Sequence, residues 1–310
     1  MAKVTNSYTT YDTTANREVI SEAIANLDPS STPFMSAIGK KTVDNVVFSW
    51  QTENLPSVST GGELEGFEIS RQAATPTVRQ TNVCSIHSVN VTVSGSQEAS
   101  NPAAKRSEMA HQLALLSRAL KRNVESAMCQ NVAKETGNST TARASRSFEA
   151  WIETNKSRGT GGADGSDTAA ATDGTQRPLT ETLLKNVLQS MYTNGATPVM
   201  AIAGAFNKQV ISGFSGRASA RQMIDADAVQ AAVSVYASDY GDLQIVPSNR
   251  SRDRSLLLVD PEYAKLAYLR DFQTKDIAPI GDAETKLLLA EVGLEVSEQA
   301  HGIIADLTTS

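Results

Sequence analysis

The stretch Pro102-Ala-Ala-Lys-Arg-Ser-Glu-Met-Ala-His-Gln-Leu-Ala-Leu-Leu-Ser-Arg-Ala-Leu-Lys-Arg-Asn-Val124 decides the fold of this 310-residue chain. Its larger apolar side chains recur every three or four residues, at Met109, Leu113, Leu116, Leu120 and Val124. That spacing is typical of one buried face of an α-helix. Because no glycine or proline follows until Gly137, the pattern predicts a single helix over 102–135, about 50 Å long, with these apolar side chains in the core.

Two strand-like runs precede this helix, at 46–50 and 83–93, and both are rich in β-branched residues. The segment between them, 55–80, contains three glycines, two prolines and few large apolar residues. A connection of that length is uncommon inside a compact domain. Since such a segment has little to bury against its own chain, we expect it to reach outward and to be ordered by a partner.

The chain before residue 46 predicts a short amphipathic helix over 15–27 that follows a polar stretch, 1–14. That stretch has no apolar core of the kind found in signal peptides, and no run in the sequence approaches the roughly 18 apolar residues of a membrane span. We therefore expect a soluble protein that is synthesised in the cytoplasm and has no membrane partner.

The second half of the chain alternates between helical and strand-like patterns. A low-complexity, glycine-rich stretch, 156–176, predicts a boundary between two bodies, and within it Gly159–Gly165 predicts a flexible loop. A helix is expected after Thr180, and strands are expected at 198–202, 233–236, 243–246, 256–259 and 285–296. Helices and strands in this order indicate an α+β fold.

Composition excludes several classes of protein. With 28 Lys+Arg against 34 Asp+Glu the net charge is -6, the reverse of a dedicated DNA-binding domain, so any contact with DNA should be weak and nonspecific. Two cysteines, Cys84 and Cys129, and three scattered histidines form no zinc motif. We expect neither a bound metal nor a cofactor.

The remaining motifs could in principle support binding or catalysis, but a purely structural role explains each of them better. The run Gly159–Gly165 lacks the lysine of a phosphate-binding loop, and Gly213-Phe-Ser-Gly216 lacks the spacing of a nucleophile elbow. His87 and His111 have no partner visible in the sequence, and Glu63, Glu65 and Glu68 lack the calcium-loop pattern. The sequence therefore predicts no enzyme, although a hydrolase with a dispersed site remains an alternative, because catalytic triads are recognised by geometry.

A set of short motifs runs in order along the chain. In the first half these motifs are Ser31-Thr-Pro-Phe34, Phe48-Ser-Trp50, Arg79-x-x-Asn82, Leu120-Lys-Arg-Asn-Val-Glu125, Arg143 and Trp151-Ile-Glu-Thr-Asn155. In the second half they are Tyr236-Ala-Ser-Asp-Tyr-Gly241, Leu256-Leu-Leu-Val-Asp260, Leu269-Arg270 and Glu291-x-x-Leu294. Together they resemble the SU10-like major capsid proteins of tailed phages, over nearly the whole chain.

The resemblance implies an HK97-like capsid fold. Residues 1–45 would form an N-terminal arm, 46–92 an extended loop with its stem, 93–177 and 256–310 a peripheral domain, and 178–255 an axial domain. The long helix would be the spine helix of the peripheral domain. Contacts between subunits would involve five residues of the extended loop: Leu64, Phe67, Ile69, Arg71 and Arg79.

The function implied is that of a virion protein that assembles with itself into hexamers and pentamers of an icosahedral head enclosing double-stranded DNA. Portal, scaffolding and decoration proteins would be further partners. Within the same fold, an encapsulin, which encloses cargo enzymes instead of a genome, is the alternative.

Overall fold

A computed structural model describes residues 32–53, 61–68, 73–74, 76–100, 107–214, 234–279 and 281–310. Within these ranges the chain contains one sheet of four strands, one of six strands and a separate two-stranded hairpin, together with helices. The predicted α+β class is confirmed. The polar stretch 1–14 and the helix expected over 15–27 lie outside the described residues.

The four-stranded sheet joins segments from both ends of the chain. In spatial order its strands are β1 (Gly39–Thr42), β10 (Ala264–Ile277), β11 (Ala283–Val296) and β4 (Ser85–Ser94). Strand β1 runs parallel to β10, and the other two pairings are antiparallel. Helix α3 (Glu108–Cys129) packs on this sheet and lies closer to β4 than to β11. A hydrophobic core that includes Leu120, Val124 and Leu294 fills the space between them.

The six-stranded sheet forms the centre of the second body. Its strands, in spatial order, are β5 (Lys156–Ser157), β12 (Gly302–Ile304), β9 (Leu256–Val259), β6 (Met200–Ala203), β8 (Gly241–Pro247) and β7 (Val235–Ser238). Strands β6 and β9 are buried at every position, as is usual for strands covered on both faces. Helices α5 (Glu181–Thr193) and α6 (Ala205–Ser212) contribute apolar side chains to a core with this sheet.

The hairpin consists of β2 (Val47–Thr52) and β3 (Val78–Val83), paired antiparallel from Val47↔Val83 to Thr52↔Val78. The run expected to be one strand over 83–93 is therefore two strands that meet at Cys84. Strand β3 extends the hairpin, whereas β4 turns into the four-stranded sheet.

Helix α3 is shorter than the sequence pattern predicted. Its start is determined by two caps, because Ser107 Oγ accepts the N–H of Ala110 at 3.1 Å and Glu98 accepts the N–H groups of Glu108 and Met109. It ends at Cys129, so its 22 residues span about 33 Å. The prediction that it continues to 135 is wrong, because the chain beyond it makes tertiary hydrogen bonds instead: Gln130 Nε2 donates to the carbonyl of Arg250 at 2.9 Å.

The side chains on the predicted apolar face of α3 differ in their degree of burial. Met109, Leu120 and Val124 are buried, and Leu113 and Leu116 are half-buried against the same core. Three shorter helices surround this region: α1 (Pro33–Ala37), α2 (Gly95–Ala99) and α4 (Phe148–Trp151).

The C-terminal part of the chain contributes strands to both sheets. Within residues 256–310, β10 and β11 join the four-stranded sheet, whereas β9 and β12 join the six-stranded one. The leucines of β9 explain this assignment. Strand β9 is apolar and buried at every position, which suits its place between β12 and β6 in the six-stranded sheet.

Candidate functional site

The base of the β2–β3 hairpin is anchored by aromatic packing. Phe48 lies against Gly293, where a Cβ atom would come within 2.5 Å of the phenyl ring, so only glycine fits there. Trp50 stacks on Phe48 with ring centroids 5.8 Å apart and contacts Trp151 at 5.3 Å. The guanidinium of Arg146 lies 4.2 Å from the centre of the Trp151 ring, which adds a cation–π contact.

Asn82 connects the same base to two other segments. Its buried Nδ2 donates to the carbonyl of Leu294 at 2.6 Å, to Ser145 Oγ at 3.1 Å and to the carbonyl of Arg146 at 3.3 Å. Its Oδ1 accepts the N–H groups of Val83 and Arg146, both at 2.9 Å. The hairpin therefore leaves the subunit from a base in which the amide group of Asn82 is fully hydrogen-bonded.

The far part of the hairpin exposes apolar side chains. Leu64 is 84% exposed and Phe67 is 51% exposed. A turn holds them together, because the N–H of Phe67 donates to the carbonyl of Leu64 at 3.0 Å across Gly66, whose φ is 84°. Glu63, Glu65 and Glu68 are also exposed and accompany these two side chains. The described part of the loop thus exposes two apolar and three acidic side chains to solvent.

The other expected contact residues of the loop are placed only in part. Ile69 and Arg71 lie outside the described residues. Arg79 is an exposed residue of β3, paired with Gln51 of β2. It therefore belongs to the hairpin stem and not to the free loop.

Helix α1 is bound to α3 by a buried carboxylate that the sequence analysis did not single out for this role. Glu125 Oε1 accepts the N–H of Phe34 and Oε2 accepts the N–H of Met35, both at 2.8 Å. Glu125 is completely buried, and burial raises the pKa of its carboxyl, opposed by these two hydrogen bonds. The anchored helix sets the position at which the N-terminal part of the chain joins the subunit.

Replacing Glu125 by alanine should lower the free energy of unfolding by about 2–4 kcal/mol, because two buried N–H groups would lose their acceptor. Replacing it by glutamine should cost about 1 kcal/mol, since one carbonyl acceptor remains and no charge is buried. Urea unfolding of the two variants beside the wild type measures both values. Equal stability of E125A and wild type would show that α1 is not held through this side chain.

The glycine-rich stretch predicted to be a flexible loop is a fixed structural element, so that prediction is wrong. It surrounds Asp306, whose Oδ2 accepts the N–H of Gly159 and whose Oδ1 accepts the N–H of Gly174, both at 2.9 Å. Oδ1 also accepts from Arg254 Nη2 at 2.8 Å. The glycines are required by close packing, since a Cβ at Gly159 would lie 2.1 Å from the carbonyl oxygen of Thr175.

A second buried carboxylate extends this network. Glu149 is completely buried, with Oε1 2.9 Å from Arg252 Nη1 and Oε2 accepting from Ser255 Oγ at 2.9 Å. Burial raises the pKa of Glu149, while Arg252 acts in the opposite direction. Arg252 also pairs with both oxygens of Asp173, at 2.8 and 2.7 Å. The carboxylates of the network each accept hydrogen bonds from an arginine or a backbone N–H group.

A separate ion cluster unites three of the motifs that carried the resemblance. Glu291 of β11 is buried, and it accepts from Arg143 Nη2 at 2.6 Å and from Arg270 Nε at 2.8 Å. These residues are far apart in sequence, but β10 and β11 place Arg270 directly opposite Glu291. The cluster fixes the segment that contains Arg143 to one face of the four-stranded sheet.

The three histidines lie in different elements of the fold. His301 is completely buried; its Nδ1 lies 3.2 Å from the donating N–H of Asp260, and its Nε2 lies 3.3 Å from the carbonyl of Tyr263. Burial lowers the pKa of His301 to about 4. Burial also lowers the pKa of His87, which contacts Ser85 Oγ at 2.9 Å, and His111 lies on α3. In Gly213-Phe-Ser-Gly216, Gly213 caps the end of α6, and Ser215 and Gly216 lie outside the described residues.

In the described part of the chain no group of three His, Cys, Asp or Glu side chains is placed to hold a metal ion. The helices described there include none that is long and apolar enough to cross a bilayer. The features that distinguish this surface are therefore the exposed hairpin loop and the anchors that hold its base and α1.

Comparison with known proteins accounts for these features. A family model described as SU10 major capsid protein matches residues 5–308. The major capsid protein of Escherichia phage Phieco32 is 29% identical over 128 residues, which make up 41% of this chain and 36% of that protein. The chain thus spans about a third of the length of this curated relative.

Solved structures share the fold at low sequence identity. The cyanophage A-1(L) capsid asymmetric unit matches with a TM-score of 0.69 and 12% identity, covering 97% of this chain and 98% of that one. A capsid of a native GTA particle matches with a TM-score of 0.63 and 11% identity, covering 96% and 98%. The SrpI encapsulin of Synechococcus elongatus PCC 7942 matches with a TM-score of 0.58 and 12% identity, covering 95% and 94%. The predicted HK97-like fold is confirmed.

Proposed function

The chain belongs to the SU10 major capsid protein family, and from this premise we propose that its copies assemble into hexamers and pentamers of an icosahedral phage head that encloses double-stranded DNA. The observation that carries the proposal is the family match over residues 5–308. The chain would then reside in the virion after assembly in the host cytoplasm.

The exposed hairpin supports self-assembly on physical grounds. Fixing the backbone costs about 1–2 kcal/mol per residue, and the described part of the loop between β2 and β3 buries almost nothing in the single subunit. An isolated two-stranded hairpin is only marginally stable in water. The exposed Leu64 and Phe67 would gain a surface only on a neighbouring subunit.

Negative-stain imaging of the purified protein tests the proposal directly. Closed shells, or isolated rings of five and six subunits, are the expected particles. A protein that remains monomeric at high concentration and in the salt conditions that favour apolar association would contradict self-assembly.

Trypsin cleavage should distinguish free subunits from particles at the hairpin. In free subunits we expect rapid cleavage at Arg71, because the sequence of the loop contains few large apolar residues to bury, and protection of at least tenfold in particles. Arg79 provides an internal control, since strand pairing in β3 should slow its cleavage in both states. Equal cleavage of Arg71 in both samples would show that the loop folds onto its own subunit.

An encapsulin-type shell shares the fold and is distinguished by its contents. The similarity to the SrpI encapsulin is at 12% identity and concerns the fold alone, whereas the family model is that of a capsid protein. Particles isolated from infected cells should contain nuclease-protected DNA. Particles that instead contain a stoichiometric cargo enzyme and no DNA would favour the encapsulin.

The further partners are proposals of the same kind. Portal, scaffolding and decoration proteins would join the shell, and the packaged DNA would make weak, nonspecific contacts, because the subunit carries a net charge of -6.

Absence of hydrolysis on ester, phosphate and glycoside substrates is the expected result for a structural protein, and reproducible turnover would favour a dispersed hydrolytic site.

A further inference from the structure

Helix α5 has an outward face made of uncharged polar residues. Its opposite face is apolar and packs into the core beside the six-stranded sheet. The outward residues recur at the three- and four-residue spacing of one helical face, and they are Asn186, Gln189, Ser190, Thr193 and the capping residue Asn194. Asparagine, serine and threonine are poorer helix formers than alanine, lysine or glutamate, which suit an exposed helix face better. This composition indicates a role for the face beyond the stability of the helix.

The same five residues line a surface cavity of about 310 Å³, at the lower end of the range of small-molecule sites, about 300–1,000 Å³. Two of them are held from below. Ser190 Oγ donates to Asn155 Oδ1 at 2.9 Å, and Asn194 Nδ2 donates to the same oxygen at 2.7 Å. Asn155 is completely buried, and its Nδ2 donates to the carbonyls of Gln299 and His301. Part of the cavity wall is therefore fixed by the interior of the fold.

A pair of tyrosines lies beside this cavity. Tyr192 follows Gln189 by three positions, so the two side chains are neighbours on the surface of α5. The ring of Tyr192 stacks on that of Tyr240, with ring centroids 4.9 Å apart, and the residue is nevertheless 59% exposed. The stacking fixes the orientation of the Tyr192 ring, and the exposed part of the ring is available to a ligand in the cavity.

The chemistry of the cavity favours a neutral ligand that carries many hydroxyl groups. None of its five lining side chains is charged, and the two charged side chains of α5 are paired with each other, with Lys185 Nζ 2.8 Å from Glu181 Oε1. Amide groups both donate and accept hydrogen bonds, as the hydroxyl groups of a sugar do. A tyrosine ring combines an apolar face with a polar tip, which matches the C–H groups and hydroxyls of a pyranose.

We propose that this cavity binds a neutral pyranose oligosaccharide. The amide groups of Asn186 and Gln189, both exposed, bind its hydroxyl groups, and the ring of Tyr192 packs against one sugar ring. The site is independent of the contacts that assemble a shell. In an assembled head it would attach particles to neutral polysaccharide, a role that rests on the proposed function.

Saturation-transfer NMR with the full-length protein tests the site, first on free subunits and then on particles. The probes are four neutral trisaccharides: maltotriose, cellotriose, chitotriose and mannotriose. Each is used at about 10 mM, a concentration at which a Kd of a few millimolar still gives high occupancy. We expect at least one of the four to bind, with the strongest transfer to the C–H groups of a single sugar ring, because that ring lies against Tyr192.

Two variants and a matched control place the sugar on α5. Tyr192→Ala and Gln189→Ala should each raise the Kd of the bound trisaccharide at least tenfold. Both residues are exposed, so neither variant should disturb folding. Tyr263→Ala removes another exposed tyrosine, 49% exposed and located just before β10, and should change the Kd less than twofold. Circular dichroism of the three variants should match that of the wild type.

The possible failures differ from one another. If none of the four trisaccharides binds free subunits, the inference is wrong and the proposed function still stands. Binding that is as tight in Y192A and Q189A as in the wild type would place the sugar elsewhere and would also overturn the inference. Binding to subunits but not to particles would overturn the role in the assembled head. Absence of particles from the wild-type protein would overturn the proposed function, and binding to subunits would still decide whether the site exists.

Discussion

Replacing Asp306 by alanine should lower the free energy of unfolding by about 3–5 kcal/mol, the largest loss that we expect from a single polar substitution in this subunit. Two N–H groups, of Gly159 and Gly174, and the guanidinium of Arg254 would lose their acceptor. Alanine would also have to adopt the φ of 60° that Asp306 has, which aspartate and asparagine tolerate better. Urea unfolding followed by two spectroscopic probes measures the change.

Two further variants separate these causes. Asp306→Gly removes the acceptors without the backbone strain, so it should be about 1 kcal/mol more stable than D306A. Asp306→Asn keeps one carbonyl acceptor and tolerates the positive φ, so it should lose about 1–2 kcal/mol. D306A should also open the glycine-rich stretch to trypsin at Arg158. A D306A protein within about 0.5 kcal/mol of wild type would show that the carboxylate does not hold this stretch.

Replacing Glu291 by alanine should cost about 2–3 kcal/mol, because Arg143 and Arg270 would lose a shared buried carboxylate. We place the value below the 3–5 kcal/mol or so typical of a fully buried pair. The reason is that the side chains of Arg143 and Arg270 remain 22% and 38% exposed, so water can partly replace the lost partner. The free energy of unfolding and the yield of particles are the two measurements.

Matched variants make the Glu291 result specific. Glu291→Gln preserves the shape and one acceptor and should lose about half as much as E291A. Glu284→Ala, in the same strand but with a side chain that is 58% exposed, should change stability by less than about 0.5 kcal/mol. If E291A unfolded at the same urea concentration as the E284A control, the ion cluster would not contribute to the subunit's stability.

Much of the secondary structure follows from local sequence patterns. The three- and four-residue spacing of Met109, Leu120 and Val124 places them on one face of a helix whatever the rest of the chain does. Strand propensity similarly located the hairpin strand that contains Phe48 and Trp50, and the buried leucines of β9. These predictions hold because they depend on neighbours within one or two turns of the chain.

The ends of these elements were harder to predict from the sequence. The apolar spacing allowed the long helix to continue to 135, but Gln130 bonds to Arg250 and the helix stops at Cys129. The run over 83–93 could be read as one strand, but the chain changes partners at Cys84. In both cases a residue far away in sequence competes with the local pattern.

The anchoring sites were determined only by the tertiary structure. The glycine-rich stretch resembles a flexible linker by composition, and what orders it is Asp306, 147 residues away from Gly159. Glu125 is one residue of a helical run, and the N–H groups it accepts belong to Phe34 and Met35, about 90 residues earlier. Local composition cannot indicate that a distant carboxylate will offset the entropy of ordering a segment.

The sequence by itself therefore determined the helical and strand segments, their apolar faces and, through its ordered motifs, the family. The tertiary structure alone decided which strands share a sheet, where helices end and which buried charges meet. The physical reason is the separation along the sequence of the residues that interact. Periodicity and turn chemistry act between residues a few positions apart. A buried carboxylate, by contrast, takes whatever donors the folded chain brings within hydrogen-bond distance, and these donors can come from any part of the sequence.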